Sequence, residues 1–131
     1  MEKGDELFTV HINCYADYEV NCEGTLYKQI LFDGNVTGAC FNGRILPGGV
    51  DTQIINPDGK GSLCARYILE GKDSLGNDCR IFVENTAEIG SQLTFPKCCS
   101  DSSELSWLKD AELRGYMIFD EEDFRIVIKK A

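Results

Sequence analysis

Apolar and polar residues alternate one by one along most of the chain. In residues 7–16, Phe8, Val10, Ile12, Cys14 and Ala16 fall on one side, and Leu7, Thr9, His11, Asn13 and Tyr15 on the other. Successive side chains of an extended backbone point to opposite faces, so this pattern predicts a half-buried strand. Comparable runs predict strands over residues 26–32, 36–46, 50–55, 62–70, 78–86, 112–119 and 124–130. Turn-forming residues separate them: Asp33-Gly34-Asn35, Pro47-Gly48-Gly49, Asn56-Pro57-Asp58-Gly59, residues 71–77 and residues 120–123. Regularly spaced strands with short polar turns describe an antiparallel meander. Such a sheet removes its exposed edges by closing on itself. The expected fold is all-β: one domain over residues 1–131, forming a closed antiparallel barrel of about 8–10 strands.

Residues 91–111 break the alternation, with Pro96, the Cys98-Cys99 pair and then DSSELSWLKDAE. Asp101 and Glu104 have the spacing of a capping box, and Leu105, Trp107 and Leu108 suit one face of a helix. One short helix is predicted over residues 102–110, closing one end of the barrel.

Carried across the strands, the alternation places Val10, Phe32, Phe41, Ile45, Ala65, Tyr67, Leu69, Ile81, Val83 and Ile126 together on one face. His11, Arg44, Arg66, Ile68, Arg80, Phe82 and Glu84 fall on the other. Burial stabilises by ~1.5–3 kcal/mol per large apolar side chain, so the first face predicts a dry core with Arg44 and Arg66 pointing outward. Leu7, Leu31, Leu46, Ile68 and Phe82 interrupt the second face. A barrel with a mixed lumen, its apolar outside covered by the helix or a second subunit, produces the same pattern. Parity leaves both arrangements open.

Charge narrows the partners. The 131 residues carry 13 basic and 22 acidic side chains, a net charge of −9. Duplex nucleic acid is held by clustered positive charge, and none is present, so neither nucleic acid nor an anionic membrane surface is expected as a partner. No run approaches the ~20 apolar residues of a membrane-spanning helix. Residues 1–6 lack the apolar core of a secretory leader. A cytoplasmic chain is therefore expected, and its seven cysteines read as reduced thiols packed as small hydrophobes. Cys98-Cys99 stands apart as a candidate for thiol chemistry.

Catalytic frames are mostly missing. The single histidine, His11, excludes a multi-histidine metal centre. The glycine-rich stretch of residues 43–49 matches neither a phosphate-binding loop nor a dinucleotide fingerprint, and no G-x-S-x-G elbow occurs. No metal and no organic cofactor is expected. What remains is a set of polar residues inside apolar strands: His11, Arg44, Asp51, Arg66, Tyr67 and Glu84 are the candidate ligand-binding residues. Arg44 and Asp51 could equally pair across the Pro47-Gly48-Gly49 turn as a structural ion pair.

Four segments carry a family resemblance. Residues 41–51, FNGRILPGGVD, resemble the GR-x-LPGG-x-D motif of the uncharacterised family DUF3237, also known as UPF0311. Residues 65–70, ARYILE, are similar to its ARY-x-LE motif, residues 81–85, IFVEN, to its I-x-V-x-N strand, and Pro96 with residues 105–109, LSWLK, to its P…WL segment. The four occur in the family's order and span most of the chain. Thr52 stands where the family often has an aromatic, and residues 71–77 replace a shorter D-G turn. The resemblance implies a small closed antiparallel barrel, lipocalin-like in build, and no established activity.

Three functions fit these residues. The first is a barrel that binds a small anionic or carbonyl-bearing organic molecule. Arg44 and Arg66 would supply charge-assisted hydrogen bonds, Tyr67 and Phe82 contact area, and His11 or Glu84 a polar anchor. The second is a cofactor-free isomerase, cyclase or lyase, with Asp51, Glu84 or His11 as base and an arginine stabilising an enolate. The third is a protein-interaction module without a small-molecule site. A homo-oligomer is open in all three.

Overall fold

In the computed structural model, which describes residues 4–131, the alternating segments form nine strands. Residues 1–3 of the segment read above for a leader lie outside the described residues. The strands are β1 (Glu6–Cys22), β2 (Thr25–Thr37), β3 (Phe41–Ile45), β4 (Gly49–Ile55), β5 (Gly61–Asp73), β6 (Asp78–Glu88), β7 (Leu93–Ser100), β8 (Leu113–Phe119) and β9 (Phe124–Lys130). A short 3-10 helix, Ser103–Asp110, joins β7 to β8.

All pairings are antiparallel, and the sheet closes. It runs from β1 through β9, β8, β7 and β6 to β5, then through β3 and β4 to β2, which pairs back with β1. β3 and β4 share one ring position. Both lie between β2 and β5, with Arg44 opposite Glu70 in one half and Asp51 opposite Ala65 in the other. The barrel therefore has eight staves. The break between β3 and β4 falls at Gly48, whose φ of 108° lies in the left-handed region open to glycine.

The alternation sorts side chains as the strands require. Val10, Phe41, Leu69, Ile81, Val83 and Ile128 are fully buried inside. Leu7 joins them because the β1–β9 register shifts between Glu6 and Phe8, and such a bulge turns two consecutive side chains inward. One end of the barrel is filled by Leu7, Phe8, Val36, Phe41, Leu69 and Ile128, with Leu105 and Leu108 of the helix packed into the same cluster. Phe8 and Phe41 meet edge to face, with ring centroids 6.2 Å apart.

Several elements differ from the sequence expectation. The predicted 36–46 strand is two strands, because the chain bends at residues 38–40 and the Cys40 N–H donates to the Leu7 carbonyl at 3.2 Å. β1 and β2 extend to Cys22 and from Thr25 as a long hairpin, well past Ile12, the last residue of β1 paired with β9. Strand β7 forms in the region expected to be irregular. It pairs with β6 along most of its length but with β8 only through Leu93 and Thr94. Beyond Thr94 it is edge-like, a setting that tolerates Pro96. Gly115 lets β8 approach there, since a Cβ would overlap the Thr94 hydroxyl.

The helix forms over nearly the predicted residues, but the capping box does not. Asp101 Oδ1 accepts the Arg80 N–H at 2.8 Å instead. Ser102 occupies the N-cap position without a capping side-chain bond. Its hydroxyl donates to the buried Asp73 carboxylate at 2.7 Å, which also accepts the N–H groups of Leu75 and Asn77. These bonds hold the Asp73 carboxyl below the usual carboxylate range and tie the helix to the β5–β6 turn.

The filled end should dominate stability. Phe41→Ala is expected to cost about 3–5 kcal/mol in denaturant unfolding, the usual loss for a buried phenylalanine. A change well under ~1 kcal/mol would contradict the packing described.

Candidate functional site

The opposite end of the barrel is not filled. A cavity of about 590 Å³ lies there, within the range of small-molecule sites. Its walls are mostly apolar: Ile12 from β1, Ile30 and Phe32 from β2, Leu63 and Ala65 from β5, Met117 and Phe119 from β8, and Phe124 and Ile126 from β9. Residues 89–92 of the β6–β7 turn and the stacked rings of Phe119 and Phe124, 4.4 Å apart, form part of the rim.

Polar groups enter this apolar space at few points, and most are unpaired. Among the described residues, the buried side-chain atoms without a hydrogen-bond partner are Asp51 Oδ1, Tyr67 Oη, Asn85 Oδ1 and Thr94 Oγ1. All four residues line the cavity. Buried polar groups are nearly always paired, so four without a protein partner in one cavity lining single this end of the barrel out. The sheet register explains their convergence. Asp51 pairs with Ala65, and Ala65 with Asn85, so the carboxylate and the carboxamide flank the smallest side chain of their row. Tyr67 stands two residues beyond Ala65 on the same face of β5.

Each group has a defined electrostatic state. Asp51 Oδ2 accepts a hydrogen bond from Gln53 Nε2 at 2.8 Å. Burial raises the Asp51 carboxyl above its ordinary value, and the Gln53 bond only partly offsets it. Burial also drives the Tyr67 hydroxyl far upward, and Cys98 and Asp51 add to the effect in their ionised forms, so it stays protonated and available as a donor. Its ring packs edge-on against Phe32 at 5.2 Å. The Cys14 thiol, also on the wall, is raised by burial and then by Asp51 and Asp17.

The structure divides the candidate residues into two groups. Asp51 and Tyr67 face the cavity. Arg44, Arg66, Glu84 and His11 lie on the outside. Arg66 Nε donates to Glu84 Oε2 at 2.8 Å, and Arg44 Nη2 to Glu70 Oε1 at 3.2 Å. Glu70 also binds Arg80, and the two guanidinium groups hold its carboxyl below the usual range. His11 lies with Nδ1 3.3 Å from Asp123 Oδ1 and Nε2 3.1 Å from Thr37 Oγ1. The Arg44–Asp51 pair does not form, because the two side chains point to opposite faces. Strand parity keeps the guanidinium groups in water, where their charge needs no compensation. Among the described residues, no basic side chain lines the cavity.

Cys98 and Cys99 also point to opposite sides, one buried and one exposed. Burial, with Cys99 next, pushes the Cys98 thiol up to about 12, leaving almost no thiolate at neutral pH. Among the described residues, no three His, Cys, Asp or Glu side chains group as a metal site, and no helix is long and apolar enough to cross a membrane.

The candidate ligand-binding residues read from the sequence leave out Asn85, Thr94 and Gln53. Asn85 was detectable: it shares the parity of Ile81 and Val83, a polar residue on an otherwise apolar face. Thr94 gave no such signal, because its strand has no clear alternation.

Fold and site define a small closed antiparallel β-barrel, packed at one end and hollow at the other. The model of the family described as "Protein of unknown function (DUF3237)" matches residues 4–91, and the chain belongs to that family. A UPF0311 protein of Clostridium acetobutylicum is 46% identical over 55 residues, which are 42% of this chain and 32% of that relative. A solved structure of a protein of unknown function from the same organism superposes with a TM-score of 0.82 at 24% identity, covering 99% of each chain. The structure of an enzyme from Penicillium herquei gives a TM-score of 0.75 at 18% identity, covering 95% of this chain and 92% of that one. These structural likenesses show the shared barrel.

The raised Asp51 carboxyl has a measurable consequence. Its ionisation is harder in the folded chain than in the unfolded one, so it lowers stability once pH exceeds the unfolded value, near 3.9. Asp51→Asn is expected to raise the melting temperature by a few degrees at neutral pH. The gain should shrink as pH falls toward 4. A melting temperature that drops at neutral pH would show that the carboxylate is held by a stabilising partner.

Proposed function

We propose that the barrel binds one small, largely apolar and uncharged organic molecule bearing a carbonyl or hydroxyl group. The observation that carries this reading is one mostly apolar cavity whose lining includes the four residues that hold buried polar atoms without a protein partner. Tyr67 offers a donor for a carbonyl oxygen, while Asp51 and Asn85 offer acceptors for a hydroxyl. The apolar walls supply the contact area, and the few polar groups set orientation. An anionic ligand, which the arginines suggested, is disfavoured: among the described residues the wall has no cation, and it carries a carboxylate. The same argument moves the ligand-contacting role from Arg44, Arg66, His11 and Glu84 to Asp51, Tyr67, Asn85 and Thr94.

A thermal-shift screen of neutral bicyclic ketones and phenols tests this. A ligand at a hundred times its Kd adds about 2.7 kcal/mol of stability, enough to raise the melting temperature by several degrees. Ala65→Phe, which fills the gap between Asp51 and Asn85, should abolish the shift, and Arg66→Ala should leave it intact. The reverse result would move the site to the outer surface.

A further inference from the structure

Resting on the reading of the cavity as a ligand site, we propose that it is also a proton-transfer centre for neutral enolisable ketones. Asp51 takes the proton from the carbon beside the carbonyl, and Tyr67 hydrogen-bonds the oxygen on which charge collects.

The assignment comes from how the two groups are held. Asp51 has one oxygen fixed by Gln53 and the other unpartnered within the cavity wall. A carboxylate anchored through one oxygen, with the other left without a protein partner, suits a base. Tyr67 is a diagonal neighbour of Asp51 on the adjacent strand, which places the two backbones roughly 7–8 Å apart. The tyrosine hydroxyl is buried and unpartnered too, and its high pKa keeps the proton available for donation. A carbonyl and its neighbouring carbon span one C–C bond, so one end can meet Tyr67 while the other meets Asp51. Ala65, opposite Asp51 and two residues before Tyr67, has a short side chain that leaves room beside both groups. The apolar walls of Ile30, Phe32 and Ile126 surround the exchange and strengthen both interactions by excluding water.

The step balances within the site. The C–H bond breaks and its proton forms an O–H bond with Asp51. The electron pair becomes a C=C bond while the carbonyl pair moves onto oxygen as an enolate, held by the Tyr67 O–H. The Asp51 acid either trades its proton for one from solvent and delivers that to the same carbon or, in a β,γ-unsaturated ketone, returns the proton to the γ-carbon. The first outcome is exchange and the second is double-bond isomerisation. Neither needs an oxidant, a reductant or a cofactor.

The test uses 2-tetralone, a neutral bicyclic ketone, in deuterated water. Binding is read by thermal shift and loss of the carbon-bound protons by NMR. The wild-type chain should bind and should exchange them faster than buffer containing equimolar acetate. Asp51→Asn should keep the thermal shift and lose roughly 100-fold or more of the protein-dependent exchange rate, the usual contribution of a positioned base. Tyr67→Phe should bind and exchange more slowly than wild type, and Ala65→Phe should lose both readouts. Binding without exchange above the acetate control overturns proton transfer and leaves the binding reading standing. Absence of any thermal shift removes both. Exchange that persists in Asp51→Asn, or matches wild type in Tyr67→Phe, overturns the assignment of that residue.

Discussion

Closure of the sheet through β1 is the constraint from which the rest follows. Strand β1 is hydrogen-bonded on one side to β9 and on the other to β2, so the first strand joins the last and the meander becomes a tube. Once closed, each strand has an inside and an outside, and parity decides chemistry. Asp51, Tyr67 and Asn85 share parity with apolar neighbours and enter the lumen. Arg44, Arg66 and Glu84 take the other parity and form ion pairs in water. A one-residue slip would exchange the two sets. The bulge near Leu7 and the shift after Cys14 therefore matter beyond their local geometry.

The two ends of the tube divide the work. At one, Phe8, Phe41, Leu105 and Leu108 fill the space and the helix is latched to the β5–β6 turn through Ser102 and Asp73. At the other, four polar atoms are left without partners and a carboxylate is held away from water. Burying the Asp51 carboxylate costs stability, and the packed end contributes the apolar burial that offsets it. Strain of this kind concentrates where a protein acts rather than where it is built.

Much of the architecture was legible from alternation alone. Strand β9 (Phe124–Lys130) forms over the predicted residues, β4 (Gly49–Ile55) begins one residue early, and the helix, Ser103–Asp110, begins one residue late. What the pattern hid has physical causes. Strand β7 carries Pro96 and takes its pairing from β6, a long-range contact that no local pattern announces. The outer part of the β1–β2 hairpin mixes Tyr15, Tyr18 and Val20 with charged residues because both its faces meet solvent. Parity had placed Arg44 and Arg66 outside, yet their charge made them attractive as ligand anchors. The interior polar residues were harder to see, because Asn85 adjoins the more conspicuous Glu84 and because an unpaired oxygen is a property of three dimensions.

The hairpin of β1 and β2 projects beyond the last β1–β9 pair, so from Asn13 to Cys22 strand β1 is bonded only to β2. A bare strand margin normally invites a neighbouring chain to add itself. Here that margin carries Asp17 and Glu19, both exposed. Two copies laid antiparallel along it would set carboxylates against carboxylates. Like charge thus guards the open margin of this hairpin.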